Sequence, residues 1–309
     1  MNTDRLLILG VTASGKGRLA FDLAESLDTE IISIDSMKVY RRMDIGTAKP
    51  PRQVRERIKY HLIDVVEPSE AFSVGKFLNL AYEAMEQIEG RGKKIVAVGG
   101  TALYIKALLY GLFDGPGSDK QIRDELQAEA EAAGHEELYQ RLKKIDPAAA
   151  ERISPRDLKR IIRALEVYKL TGKPISSFQQ QFDAKNPLQN WTIIGLRREK
   201  SVESSRINQR VKKIIAAGLV DEVKALLAEE KPLSKQARCA IGYAEIINYL
   251  NGETTLEEAA ELIKKNTRRL AKGQRTWFKT FKNVHWLDIS PDEPREKIFD
   301  EAKKLLNRS

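Results

Sequence analysis

One short stretch constrains this chain more than any other. The apolar run Leu6–Leu9 passes straight into Gly10-Val11-Thr12-Ala13-Ser14-Gly15-Lys16-Gly17. Apolar strand, glycine-rich turn and helix is the P-loop order, in which backbone N–H groups and the lysine cradle a di- or triphosphate. The helix N-terminus that follows, expected from Lys16 to about Leu27, favours the same anion through its dipole. Every residue from Gly10 to Gly17 is therefore a candidate diphosphate- or nucleotide-binding position. The last letter departs from the pattern: Gly17 stands where Ser or Thr supplies a hydroxyl to Mg²⁺. Metal binding then falls to water, Ser14 or Asp35. The motif points to a polyphosphate ligand but does not separate kinases, NTPases and transferases.

With 309 residues, 42% of them hydrophobic, the chain can fill one large core or two smaller ones. No run approaches the roughly 18 apolar residues of a membrane span. The first strand begins almost at once, so neither a signal peptide nor a membrane partner is expected. The single cysteine, Cys239, excludes an internal disulfide and suits a reducing, cytoplasmic setting. A net charge of +9 points to an anionic partner.

Along the first 115 residues, strand-like runs at Leu6–Leu9, Glu30–Ile34, Leu62–Val66 and Ile95–Val98 alternate with helical spacing, as in 73–88. This alternation predicts an α/β core with a parallel sheet flanked by helices, here numbered 1–115. Ligands of such sheets sit beyond the carboxyl ends of the strands. Three polar clusters fall there: Gly10–Gly17, Asp35–Tyr40 and Gly99–Thr101. From 116 to 188 the chain is charged and helical, with helices expected at 125–133, 136–144 and 155–171, and reads as an all-helical insertion domain. The run Trp191–Leu196 supplies a last strand. The remainder, 189–309, returns to the core with basic C-terminal helices.

Asp35 can hold Mg²⁺ as a hard oxygen ligand or act as general base; the plainer role is to cap a turn. Thr101 is either a helix N-cap or a hydroxyl donor to a ligand. Arg206 and Arg210 lie four apart, on one helical face, and can clamp phosphate. Residues 264–282 carry eight Lys/Arg and no acid, with Trp277, Phe278 and Phe281 interleaved. Cations meet phosphates and aromatic faces stack on bases, so this segment reads as a nucleic-acid surface. His61, His135 and His285 are scattered without zinc spacing.

Taken together the clusters resemble the tRNA dimethylallyltransferase (tRNA isopentenyltransferase) family. The matching pieces are GVTASGKG (10–17), DSMKVYRRMDIGTAKP (35–50), HLID (61–64), VGGTALY (98–104), RALEVYKLTGKPIS (163–176), RINQRV (206–211), AIGYAE (240–245) and TRRLAKGQRTWF (267–278). The resemblance implies a P-loop NTPase-like core. It implies transfer of a dimethylallyl group from dimethylallyl diphosphate to N6 of the adenosine 3′-adjacent to a tRNA anticodon, with Mg²⁺ as cofactor. By the same resemblance Asp35 is the base, Thr101 and Arg210 flank the breaking bond, and Lys16 with the loop amides holds the diphosphate. Asp35, Ser36 and Lys38 match a stretch that contacts the target adenosine, and Met37 and Thr101 are further tRNA-binding candidates. Lys159–Arg163, Cys239–Ala244 and Lys272–Lys279 match tRNA-contacting stretches, and the tRNA-binding candidates are Arg123, Lys159, Arg160, Arg163, Lys272, Gln274, Arg275, Trp277 and Lys279. The chain departs from the family at Val11 (usually Pro), Gly17 (Thr), Lys38 (Gln), Ala102 (Gly) and Gly273 (Arg). A monomer is expected. The competing readings are a prenyltransferase of free adenine nucleotides, a small-molecule kinase and a catalytically silent RNA-binding protein.

Overall fold

Runs of Leu, Ile and Val that are apolar at every position, rather than at every second one, can be satisfied only where both faces of a strand are covered. The computed structural model, which describes residues 4–112, 115–178 and 188–308, places them there. Strands β1 (Arg5–Gly10), β2 (Glu30–Ile34), β3 (Tyr60–His61), β4 (Ile95–Gly99), β5 (Thr192–Arg197) and β6 (Val284–Asp288) form one sheet in the order β3-β2-β4-β1-β5-β6. Every pairing is parallel. The helices in chain order are α1 (Lys16–Ser26), α2 (Arg52–Arg57), α3 (Val74–Glu89), α4 (Ala102–Tyr110), α5 (Lys120–Ala133), α6 (His135–Ile145), α7 (Pro147–Arg152) and α8 (Leu158–Thr171). After β5 come α9 (Lys200–Ala216), α10 (Leu219–Leu227), α11 (Lys235–Arg238), α12 (Tyr243–Leu250), α13 (Leu256–Phe278) and α14 (Arg295–Arg308). Among the described residues no helix is long and apolar enough to cross a membrane.

The chain divides into two compact units, Met1–Leu109 with Gln189–Ser309, and Tyr110–Leu188. The first holds the sheet. Leu6, Ile8, Val96, Val98, Ile194 and Leu196 on one face pack with Leu19, Phe21 and Leu23 of α1. The second is helical, with Leu126, Leu138, Leu142, Ile161 and Leu165 at its centre. Its polar anchor is Glu166, fully buried, which accepts Arg123 (2.8 and 2.9 Å), Arg163 (2.7 Å) and the Asp119 amide (2.7 Å). Burial alone would raise the Glu166 pKa; the hydrogen bonds from Arg123, Arg163 and Asp119 outweigh it and hold the carboxyl below its usual range.

Three expectations change. The strand expected at Leu62–Val66 does not form: pairing stops at His61, and Leu62 and Asp64 take positive φ values of 63° and 57°. Left-handed residues break the pleat, and Val66 keeps a single bridge, to Tyr40. A sixth strand, β6, follows the basic segment; it pairs with β5 at the sheet edge and is only half-buried, so it lacks an apolar run. Helix α8 starts at Leu158, after Asp157 caps it by accepting the Arg160 amide, rather than at Pro155.

Candidate active site

The carboxyl ends of β2, β4 and β1, neighbours in the sheet, open on a cleft of about 910 Å³. Its floor is the loop after β1. Ala13 (φ 63°) and Gly15 (φ 103°) both turn left-handed there. This curls the loop beneath the N-terminus of α1, where Lys16 and Gly17 offer amides without helical partners. Lys16 Nζ donates to the Val11 carbonyl (3.1 Å). Burial first, and then the neighbouring Lys38 charge, lower the Lys16 pKa to about 7; Asp35 opposes and Arg210 adds to the effect. Gly17 lines the cleft, with nothing within 4 Å of where a Cβ would stand.

Asp35 leaves β2 and folds back on its own turn: Oδ1 accepts the Met37 amide (2.9 Å) and the Lys38 amide (3.3 Å). Its side chain is thereby fixed at the cleft wall beside Ser36, Met37 and Lys38. Burial depresses the Lys38 pKa, with Asp35 opposing. Thr101 begins α4, and its Oγ1 accepts the Ser36 amide (3.1 Å), tying the end of β4 to the turn after β2. Thr101 thus serves as a clasp between two strand ends while its side of the turn faces the cleft.

The opposite wall is α9. Arg210 reaches Thr12 Oγ1 (3.3 Å) and the Thr47 carbonyl (3.4 Å), and Arg206 donates to the Ala13 carbonyl (2.7 Å). Burial pulls the Arg210 pKa below its ordinary value, with Asp35 opposing. The expected pair of arginines one turn apart is therefore aimed at the phosphate loop. A third arginine, Arg198, donates to the Ser14 carbonyl (3.0 Å). Sequence reasoning missed it; its position just past the run Trp191–Leu196, at the carboxyl end of β5, was the available signal.

Residues 41–50 belong to the scaffold. Lys49 is buried with Asp44 and Asp64 (2.6 Å each), and Arg42 bonds Glu67 (2.5 Å) and Glu229 (2.6 Å). Glu222 of α10 accepts the amides of Asp44 (2.9 Å), Ile45 (2.7 Å) and Gly46 (3.2 Å) and the Tyr243 hydroxyl (2.6 Å). A Cβ at Gly46 would lie 2.7 Å from Cζ of the Tyr243 ring, so only glycine fits. No local pattern announces Glu222, whose partners lie far away in sequence; Tyr243 falls within the matching piece AIGYAE (240–245), which does not reveal its partner.

The basic helix α13 sorts its cations by face. Arg268 bonds Asn208 (2.8 Å), and Arg275 pairs with the buried Glu203, both on α9. Lys265, Arg269, Lys272 and Lys279 are exposed, at spacings that align them along one side. Gln274 is buried: its Oε1 accepts the Thr12 amide (2.9 Å) and its Nε2 donates to the Gly100 carbonyl (2.8 Å), joining α13 to the phosphate loop and to the end of β4. Of the three aromatics, Phe278 and Phe281 pack in the core with ring centroids 6.1 Å apart. Trp277 alone lines the cleft, with Lys106 Nζ 6.0 Å from its ring centroid. In the helical unit, Lys159 and Arg160 are exposed, whereas Arg123 and Arg163 are committed to Glu166.

For a metal, the described residues hold no group of three or more His, Cys, Asp or Glu able to form a dedicated cage. Ser14 Oγ is buried without a hydrogen-bond partner, 2.7 Å from where a Cβ on Gly10 would stand, and does not line the cleft. Asp35 is the one carboxylate in the lining. That donor set fits Mg²⁺, which needs only one or two carboxylates when phosphate oxygens and water complete its shell.

The sequence model of the IPP transferase family matches residues 38–281. A tRNA dimethylallyltransferase of Acetivibrio thermocellus is 44% identical over 97% of this chain and 96% of its own length. A tRNA dimethylallyltransferase 2 of Geotalea uraniireducens is 47% identical over 92% and 91%. Among solved structures, the full-length tRNA isopentenylpyrophosphate transferase of Bacillus halodurans superposes with a TM-score of 0.70 at 39% identity, covering 99% of this chain and 98% of that one. A eukaryotic dimethylallyltransferase acting on tRNA superposes with a TM-score of 0.82 at 28% identity, covering 98% of this chain and 79% of that one. With its P-loop NTPase-like sheet and a match along nearly its whole length, the chain belongs to the tRNA dimethylallyltransferase family.

Proposed function

We propose that this chain transfers the dimethylallyl group of dimethylallyl diphosphate to N6 of the adenosine 3′-adjacent to a tRNA anticodon, releasing diphosphate. The observation that carries the reading is a cleft lined by six cations and one carboxylate at the strand ends. An adenine amine is a weak nucleophile, because its lone pair is drawn into the ring. The leaving group gains negative charge as the allylic C–O bond breaks, so stabilising that charge is the main catalytic task. Lys16, Arg210 and the loop amides hold the diphosphate. As the new N–C bond forms, Asp35 accepts the proton that the amine loses. Thr101 orients the same end of the cleft through its clasp to Ser36. The cofactor is Mg²⁺, which when bound would neutralise charge on the leaving diphosphate; holding it is the alternative role of Asp35, the one carboxylate in the lining.

The target base has to leave its stack to reach Asp35, as enzymes acting on a base generally require. Trp277 offers a ring at the cleft mouth, and the exposed cations of α13 follow the RNA backbone. In the helical unit Lys159 and Arg160 provide further phosphate contacts. A monomer in the cytoplasm suffices for this chemistry. Single-turnover transfer from labelled dimethylallyl diphosphate to an anticodon stem-loop, with AMP as the competing acceptor, tests the reading. Label on the stem-loop and none on AMP is expected; label on AMP alone would make the chain a nucleotide prenyltransferase, and RNA binding without label a silent binder.

A further inference from the structure

The cleft-lining cations are Lys16, Arg18, Lys38, Lys49, Arg206 and Arg210. Five of them have polar partners. Lys16 meets the Val11 carbonyl, Arg18 pairs with Asp22 (3.4 Å), Lys49 with two aspartates, and Arg206 and Arg210 with the loop. The Lys38 ammonium makes no hydrogen bond or ion pair with any described residue, although it lies in the electrostatic field of Asp35, Lys16 and Arg210. A half-buried cation with like charges on two sides is unfavourable unless an anion arrives. Meanwhile the loop's hydroxyls are poorly placed for a metal: Gly17 has no side chain, Thr12 Oγ1 already accepts Arg210 (3.3 Å), and Ser14 Oγ does not line the cleft; Asp35 Oδ1 is taken by two amides.

We propose that Lys38 is a diphosphate-binding residue, a fixed positive charge that lets this cleft bind the diphosphate without Mg²⁺. The inference rests on the reading of the cleft as a diphosphate site, and it moves Lys38 from the expected adenosine contacts to the leaving group. A lysine ammonium suits the role, being a compact point charge with three donors that can follow oxygens of either phosphate. Lys16, Lys38 and Arg210 then surround the polyanion from the phosphate loop, the turn after β2 and α9. A cation held by the chain makes a metal an aid to departure rather than a condition of binding.

Titration calorimetry of the full chain with inorganic pyrophosphate, in Mg²⁺ or in EDTA, tests this. The wild type is expected to bind in both, with affinities within about threefold. Lys38→Gln should weaken binding in EDTA by about tenfold or more, the scale of one charge-assisted hydrogen bond, and much less in Mg²⁺. Lys38→Arg should restore metal-free binding, which separates charge from a folding defect. Affinity for an anticodon stem-loop should be unchanged in Lys38→Gln. Wild-type binding that requires Mg²⁺ would overturn the proposal, as would a Lys38→Gln variant that loses RNA affinity but keeps pyrophosphate affinity. Wild type that binds pyrophosphate in neither condition would instead overturn the diphosphate reading of the cleft.

Discussion

Lys16 is a lysine whose charge the folded protein disfavours until an anion arrives. Burial and Lys38 bring its pKa to about 7 from an ordinary 10.5, against the pull of Asp35. Between those values the unfolded chain binds more protons at Lys16 than the folded one, so this residue's contribution to the stability of the ligand-free protein rises with pH across that window. The diphosphate binding proposed for Lys16 runs the other way, because a bound anion favours the charged amine. Affinity for pyrophosphate should fall by up to about tenfold per pH unit above pH 7. Calorimetric titrations from pH 6 to 9 on wild type and Lys16→Met should show a shallower slope in the variant; equal slopes would remove Lys16 from the linkage. Asp35 permits a cleaner separation of roles. Asp35→Asn keeps the amide-accepting oxygen that holds the turn and removes the proposed base. Single-turnover transfer should drop by about 10²–10⁴, with stem-loop affinity kept. Much of this site was legible in the sequence, because the phosphate loop, Asp35 and Thr101 each end a strand and the strands were visible as apolar runs. Gln274 was legible only as a member of a basic segment. Its burial against Thr12 and Gly100 depends on how α13 crosses the loop, which no local pattern encodes.

At the level of elements, buried strands announced themselves and half-buried ones did not. β1, β2, β4 and β5 are apolar on both faces, and their runs fixed the α/β reading. β6, at the sheet edge, exposes His285 and Asp288 and carries no continuous apolar run to announce a strand. The run Leu62–Val66 misled for the converse reason. Its apolar residues do pack inward, Leu62 at 4% exposure and Val66 at 9%, but from a left-handed turn that keeps, as strand pairing, only the bridge from Val66 to Tyr40. The same contrast between context and pattern separates two glycines of the site. A Cβ on Gly99 would strike the Ile34 carbonyl on the adjoining strand, and backbone cannot move aside as a side-chain tip can. Gly99→Ala should cost at least the ~1–3 kcal/mol of core overpacking and part β2 from β4 beside Asp35. Gly17→Ala meets open space on the first turn of α1 and should gain roughly 0.5–1 kcal/mol from helix propensity. Denaturant melts of the pair check this; equal stabilities would mean that the strand ends yield more readily than their geometry implies.

For the molecule as a whole, a net charge of +9 has to be divided before it can be read as an RNA surface. A large share of the cations is internal structure. Arg123 and Arg163 hold Glu166, Arg268 and Arg275 fasten α13 to α9, and Arg42 and Lys49 pin the loop that carries Thr47. What remains for a polyanion includes the cleft, Lys159 and Arg160 of the helical unit, and the outer face of α13, where Lys265, Arg269, Lys272 and Lys279 stand exposed without an acid between them. Neutralising these should affect binding uniformly across RNA sequences, since phosphate contacts carry no sequence information. Each phosphate contact on a single strand steepens the dependence of log K on log salt by about 0.7. Arg269→Gln with Lys272→Gln should therefore flatten the salt dependence of stem-loop binding by roughly 1.4 in slope and leave pyrophosphate affinity in the cleft unchanged. Arg123→Gln should act differently, lowering the melting temperature because the buried Glu166 keeps only Arg163 and the Asp119 amide as partners, while leaving the salt slope alone. Filter binding across a salt series, beside thermal melts, reads both. If Arg123→Gln flattened the slope and the α13 pair did not, the RNA path would run over the helical unit, and the face of α13 would be solvated surface.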